Sequence, residues 1–473
     1  MSQSPDLCIV GAGALGIALA LHARRLGASV VLAGREGGEQ GDQDQSALRL
    51  AALSASAAMA ETLLRSASMG LPEPRKPALK AVAERVEAVV GHQGIEHDDV
   101  ILTAKGIEVL RGDVQFAGPR ALQIGDTLIK PGATILACGS TAIVPELEGI
   151  DRVPAFTLDS ILDNTRKLTH LVVIGGGEAA VEMAQLQRRL GAEVTLVTQG
   201  EALPGFDREG VNILLRSLEG EGVRILAGSR VAKIVPRAQG TGVLVETAEG
   251  ETEALDVSHI LLAEGRAVDW RALDLAKARL RPRKGEDTGL VHGPLGQTSN
   301  PAVRLVGPAA GMEQFPAALA HGRAVVEALV HGGSGTTPIV PRIVGTEPAL
   351  AQLGAMAAGS NKKTIGRQLL RANLGENALM AARGQRRGLV KLAIEKNEQI
   401  VGAVIVAPDA GELAGLVGLA MHRRIGLRGL AAMPVPRPSL AAALQELADE
   451  ALPPRPPSPS LKLRRAVRSL ITR

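Results

Sequence analysis

Tyrosine is absent from the 473 residues, and the other aromatics amount to four Phe and one Trp. So few flat π-surfaces argue against a stacking platform for single-stranded nucleic acid or sugars. Cysteine is as scarce, with Cys8 and Cys138 the only two. That count excludes a disulfide-stapled scaffold, a Cys-rich zinc site and an iron–sulfur cluster. It also excludes any CxxC or CxxxxC dithiol. No apolar run reaches the ~18–20 residues needed to span a bilayer. The first residues lead straight into Leu7-Cys8-Ile9-Val10, without the charged start, apolar stretch and cleavage site of a signal peptide. The expected location is the cytoplasm. Charge is also modest, at +4 net. Residues 455–473 hold six Lys/Arg and no acid, which leaves the other 454 residues at −2. The basicity belongs to the tail and gives no general nucleic-acid surface.

What is present is a well-cored chain, 45% apolar and 22% charged, long enough for two to four domains. Two segments repeat one pattern about 160 residues apart. The first runs from Asp6–Val10 through Gly11-Ala12-Gly13-Ala14-Leu15-Gly16 and a helix ending at Leu26-Gly27 to a strand at Ser29–Ala33. The second runs from His170–Ile174 through Gly175-Gly176-Gly177-Glu178-Ala179-Ala180 and a helix ending at Leu190-Gly191 to a strand at Glu193–Val197. Each reads as a βαβ unit, which requires a parallel sheet. Gly11 and Gly175 permit the tight turn, and Gly13 and Gly177 let the backbone approach a pyrophosphate. Gly16 and Ala180 let helix and strand pack closely. The helix start, at Ala14 or Glu178, turns backbone N–H groups and a positive dipole end toward the phosphates. One such turn is weak evidence; two within complete units predict two dinucleotide domains.

Short strands are expected over 106–112 and 121–129, then at Ala133–Leu136 before Ala137-Cys138-Gly139-Ser140. Further strands are expected at His259–Ala263, before Glu264-Gly265-Arg266, and at Val303–Val306, before Gly307-Pro308. A Gly/Ser/Thr/Pro run at 331–338 separates an α+β segment with strands at 388–394 and 400–406 and helices at 412–424 and 439–450. Pro453–Pro459 reads as a polyproline-type spacer.

In this order the motifs resemble those of the pyridine nucleotide–disulfide oxidoreductase family, which includes dihydrolipoamide dehydrogenase and mercuric reductase. Gly11–Gly16 is similar to the FAD-pyrophosphate turn, and Ala137–Ser140 with Pro145 and Gly149 to the ATGS…P…PG stretch. Gly175–Ala180 resembles the NAD(P) turn and Gly265-Arg266 the GR that closes the NAD(P) domain. Thr346-Glu347-Pro348 and Ala407–Glu412 resemble TDP and GPNAGE of the dimerisation domain. The resemblance implies an α/β chain with two Rossmann-like dinucleotide-binding domains and a C-terminal α+β dimerisation domain. An FAD domain (1–155 and 267–335) is split by an NAD(P) domain (156–266) and followed by the interface domain (336–452) and a tail (453–473). It also implies a homodimer, with FAD and NAD or NADP as cofactors, the FAD held through Gly11, Gly13, Ala14, Gly16, Ala137, Gly139 and Gly307.

The departures bear on function. The family motif GGxCxNxGCxPSK falls on Gly37–Arg49, with both cysteines replaced, by Gln40 and Gln45. An amide has no thiolate and cannot attack a disulfide. The family's HPTxxE, the acid/base dyad, reads Arg437-Pro438-Ser439-Leu440-Ala441-Ala442. Arginine stays protonated and moves no proton near neutrality. The acid that holds the adenosine ribose falls on Gly34, with Glu36 two residues on as the substitute; the ribityl-binding Asp of GD is Pro308. Two lost charged hydrogen bonds cost ~3–6 kcal/mol, about 10²–10⁴ in affinity, so an initially nanomolar flavin site would weaken to micromolar or be vacant. Arg49 replaces the PSK lysine and Glu182 sits at its family partner's position. An Arg49–Glu182 ion pair is therefore expected, either tuning the flavin or bridging domains. The acid that reads the NAD ribose falls on Thr198, which leaves NAD and NADP equally open.

These residues imply an FAD-dependent NAD(P)H oxidoreductase that delivers electrons to a non-disulfide acceptor: a quinone, oxygen, a dye or a second nicotinamide. The alternative is a catalytically inactive paralogue that serves as a dimeric scaffold or regulator. Cys138 is either a lone redox thiol or core packing, and His22, His321 and His422 lack metal-ligand spacing. No metal site is expected. Leu461–Arg473 has Leu463, Val467, Leu470 and Ile471 at helical spacing among Lys462, Arg464, Arg465 and Arg468. Such a helix can rest on an anionic membrane surface, dock on the body or stand in solvent.

Overall fold

The computed structural model describes residues 4–35, 43–66, 77–91, 98–238, 240–283, 289–333, 339–356, 367–385, 387–453 and 458–471. They form two compact units, 1–351 and 352–473.

The first unit opens with β1 (Leu7–Val10), α1 (Ala14–Arg25) and β2 (Val30–Gly34), followed by the paired helices α2 (Gln43–Leu64) and α3 (Leu79–Gly91). Then come β3 (Ile107–Arg111), β4 (Ala133–Leu136) and β5 (Ala155–Thr157). The second βαβ unit is β6 (His170–Ile174), α4 (Glu178–Arg189) and β7 (Glu193–Thr198). It continues through α5 (Arg208–Gly220), β8 (Val223–Ala227) and β9 (His259–Leu262). Finally β10 (Val303–Leu305) precedes α6 (Phe315–His331).

These strands make two five-stranded parallel sheets, ordered β10-β4-β1-β2-β3 and β8-β7-β6-β9-β5. The first sheet is completed by β10, which follows every strand of the second in sequence. Parallel sheets are covered on both faces, so their strands are continuously apolar rather than alternating. Every residue of β1 and β2 is buried. One face of the first sheet packs Ile9 and Leu32 against Leu15 and Leu19 of α1 and Val325 of α6. The other packs Cys8, Val10 and Val31 against Phe116, Leu122, Trp270 and Leu273. Cys8 is thus core packing, and burial pushes its thiol pKa well up.

The second unit contains an antiparallel run of β11 (Gln368–Asn373), β12 (Leu389–Ile394) and β13 (Ile400–Ala407). Helices α7 (Ala410–His422) and α8 (Ala441–Ala451) follow, then α9 (Pro459–Ile471). The architecture is mixed α/β.

Candidate functional site

The two glycine turns have nearly the same backbone path. Gly11 has φ +119° and Gly175 φ +138°, a region that side chains with a Cβ rarely enter. A Cβ on Gly11 would strike the carbonyl oxygen of Ala137; one on Gly175 would strike that of Ala263. Each turn leaves its strand, crosses the neighbouring strand's end and enters a helix through an extended glycine: Gly13 at φ −82°, ψ −177° and Gly177 at φ −78°, ψ 178°. No side chain caps either helix. Both turns lie outside the carboxyl ends of the strands, where the sheet order reverses, which is where open α/β sheets bind ligands. An uncapped helix start at such a place is an anion site.

In the first turn, Gly16 packs so tightly that a Cβ would strike the Gly11 carbonyl. Ala14 begins α1, and the Ala137 N–H donates to the Val10 carbonyl at 2.8 Å, placing Ala137–Gly139 beside the turn. A Cβ on Gly139 would meet nothing within 4 Å, so this edge is open. Gly307, at φ +63°, lies against Leu15, whose Cδ2 would be 2.5 Å from a Cβ there. In the second turn, Ala180 is fully buried under the sheet, and Gly265, at φ +121°, has Ile143 as the nearest neighbour of a would-be Cβ, at 3.7 Å. Thr198 is buried; its hydroxyl donates to the Gly200 carbonyl at 3.3 Å and crowds Gly176.

The first cradle fits a dinucleotide pyrophosphate: Gly11, Gly13 and Gly16 leave backbone where side chains would stand. Its other anchors differ. A Cβ on Gly34 would lie 2.5 Å from that of Ala12, so no carboxylate fits there without displacing the turn. Arg111, bonded to Asp99 at 2.6 and 2.9 Å, borders the same position. Pro308 offers neither a carboxylate nor an N–H. Glu36 and Gln40 lie outside the described residues. Gln45 lies on α2, its side chain outside them.

The expected Arg49–Glu182 pair does not form. Arg49 reaches from α2 to Glu87 of α3 at 2.7 Å and to Asp163 at 2.8 Å. Glu182 instead accepts the Gly345 N–H at 2.5 Å. The reason is a polar stripe that α4 turns toward residues 342–347. Glu178 binds Arg342 at 2.6 Å, and Arg342 also stacks over Phe206 at 4.2 Å. Gln185 exchanges two hydrogen bonds of 2.8 Å with the Glu347 backbone. Arg189 pairs with Glu347 at 3.0 Å and Glu221 at 2.8 Å. Positions 178, 182, 185 and 189 are spaced 4-3-4, one face of a helix. That spacing was visible in the sequence, but its partner segment, over 150 residues away, was not. Burial, with Glu178 nearby, pushes the Glu182 carboxyl up to about 7, against the lowering effect of the Gly345 N–H. Glu313 is also raised by burial and by Glu178.

Arg266, beside Gly265, is a second clamp. It donates to the Ser140 hydroxyl at 3.0 Å, to the Ser140 carbonyl at 2.5 Å and to Asp159 at 2.8 Å. The open edge after Ala137 is thereby pinned to the chain leaving the second sheet. A cleft lies elsewhere, between α2, α3 and the end of α4; no glycine-turn residue lines it, but Glu87 and Asp163 do.

Cys138 is partly buried and its pKa is pushed up to about 12 by burial. Cys8 pairs in register with Thr134, four residues before Cys138. Cys138 follows the end of β4, its thiol 3.9 Å from the Val10 carbonyl, while Cys8 is fully buried within β1; both cysteines are free. Among the described residues no group of three or more His, Cys, Asp or Glu could hold a metal ion.

Comparison with known proteins matches residues 5–322 to the family described as pyridine nucleotide-disulphide oxidoreductase. Residues 340–448 match its dimerisation domain. A dihydrolipoyl dehydrogenase of Thermus scotoductus is 30% identical over 74% of this chain and 76% of its own length. A mercuric reductase of Streptomyces lividans is 26% identical over 93% of this chain and 94% of its own. The fold is that of the HOCl-induced flavoprotein disulfide reductase RclA of Escherichia coli, solved as its Cu(II) complex: TM-score 0.81 and 21% identity over 96% of this chain and all of that one. The chain belongs to the pyridine nucleotide-disulphide oxidoreductase family and is an FAD-dependent oxidoreductase that works with a nicotinamide nucleotide.

Proposed function

We propose that this chain takes hydride from NAD(P)H onto FAD and passes the electrons to an acceptor that is not a disulfide: a quinone, oxygen, a dye or a second nicotinamide. The observation that carries this reading is the sulfur inventory. The chain holds two cysteines, the fully buried Cys8 and the partly buried Cys138, and both stand outside the family's redox motif. A relay of the family's kind needs two thiols in reach of each other.

FAD, when bound, supplies a two-electron carrier between the nicotinamide and the acceptor. The roles left to the chain are geometric and electrostatic. Gly13 and Gly177 open the helix starts that hold the two pyrophosphates, while Gly11 and Gly175 carry no Cβ to strike the Ala137 and Ala263 carbonyls beside them. Arg266 fixes the edge at Ala137–Gly139 relative to the second cradle. Glu182, held by Gly345 one turn along α4 from Glu178, can carry a proton near neutral pH. Arg49, neutralised by Glu87 and Asp163, clamps α2 to its neighbours.

Anaerobic titration with NADH and NADPH tests the reading. The flavin band should bleach without the long-wavelength absorbance of a thiolate–flavin pair. Quinone or dye should restore it; lipoamide and glutathione disulfide should not. Disulfide turnover by the native chain would overturn the proposal. A second reading, a dimeric scaffold without catalysis, draws on the missing anchors at Gly34 and Pro308. It predicts a colourless protein that FAD cannot reconstitute.

A further inference from the structure

Helix α9 takes no part in the chemistry above, and the family's dimerisation match ends at residue 448, before α9 begins. Every described side chain from Ser458 onward is exposed, Leu461 at 42% and Leu463 at 67%. A helix of 13 residues is marginal in water by itself, because tertiary packing of an apolar face supplies most helical stability. This helix has such a face by register. Positions 463, 466, 467, 470 and 471 (Leu, Ala, Val, Leu, Ile) fall on one side of a 3.6-residue period. Lys462, Arg464, Arg465 and Arg468 fall on the other. From Ala451 to Arg473 there is no acidic residue.

We infer that α9 is a docking helix for an anionic lipid surface. Its apolar side enters the boundary between headgroups and acyl chains, and its basic side, with Lys462, Arg464 and Arg465, faces lipid phosphates. A nucleic acid would satisfy the cations alone and leave the Leu463 side in water; a lipid surface satisfies both. The preceding Pro453–Pro459 stretch, with five prolines in seven residues, is the composition of a semi-rigid spacer between such a helix and α8. With no Trp or Tyr, and one short helix, the attachment is weak and reversible. The inference does not depend on the electron acceptor.

Co-sedimentation of the full chain with vesicles tests it. Binding is expected to phosphatidylcholine vesicles containing phosphatidylglycerol, to weaken with added salt, and to be absent with phosphatidylcholine alone. Each cation near such a surface is worth about a fivefold change in partitioning, so Arg464→Glu/Arg465→Glu/Arg468→Glu should lower it by more than about a hundredfold. Leu463→Ser/Leu470→Ser should weaken binding without any change in charge, and deletion of 459–473 should abolish it. The thermal transition of the body should be the same in all of them. Equal binding to neutral vesicles, binding that survives the deletion, or no vesicle binding by the full chain would each overturn the inference. So would binding to a nucleic-acid duplex with none to vesicles.

Discussion

Glu182 lies on the face of α4 that meets residues 342–347, with one N–H from Gly345 and no cation from α2. Its carboxyl is pushed up to about 7 from the usual 4.5 by burial. The folded state therefore holds a proton that the unfolded state has released between those values. The associated stability is fully present below about pH 4.5 and is lost as pH rises through about 7, on the order of 3 kcal/mol in all. Denaturant midpoints measured across that window should fall more steeply for the native chain than for Glu182→Gln, which has nothing to ionise. The glycine turns give a second expectation at this scale. Gly11→Ala would place a Cβ against the Ala137 carbonyl at a φ of +119°. The strain, of order 1–3 kcal/mol, falls on the pyrophosphate cradle. The variant should purify with a much lower flavin-to-protein absorbance ratio than the native chain. Both glycines were legible as turn residues. The state of Glu182 was not, since it depends on which side chains the fold brings beside it.

Helix α4 is the element that joins the second cradle to residues 342–347. Its uncapped start follows the second glycine turn, and its stripe of Glu178, Glu182, Gln185 and Arg189 holds the distant segment. Arg189 is buried, 6% exposed along its side chain, and bonded to two carboxylates. Arg189→Ala would leave Glu221 and Glu347 without their shared cation. Breaking a buried pair in this way costs about 3–5 kcal/mol. The urea midpoint should drop accordingly with the m-value unchanged. Element positions were mostly legible. The strands expected at 388–394 and 400–406 appear as Leu389–Ile394 and Ile400–Ala407, because apolar runs bounded by Gly, Asn or Pro fix strands locally. The tail helix expected from Leu461 begins at Pro459, a residue well suited to a first helical turn.

At the scale of the whole molecule, the sulfur inventory sets the expected chemistry. If no thiol takes part, Cys8→Ala/Cys138→Ala should keep its NAD(P)H-dependent reduction of a quinone or dye near the native rate. Steady-state turnover of the purified variant checks this, and loss of turnover in a folded, flavin-loaded variant would point to Cys138. The sequence by itself determined the two βαβ units, the family's order of motifs and the replacement of the redox cysteines. Each of these is written in local spacing, where a glycine turn, an apolar period or a missing thiol has the same meaning in any surroundings. Tertiary structure alone decided that Arg49 serves Glu87 and Asp163, that Glu182 is left to Gly345, and that Ala12 closes the place of a ribose-binding acid at Gly34. Long side chains choose partners by proximity in three dimensions. Charge pairing between segments more than a hundred residues apart leaves no periodic trace in the chain.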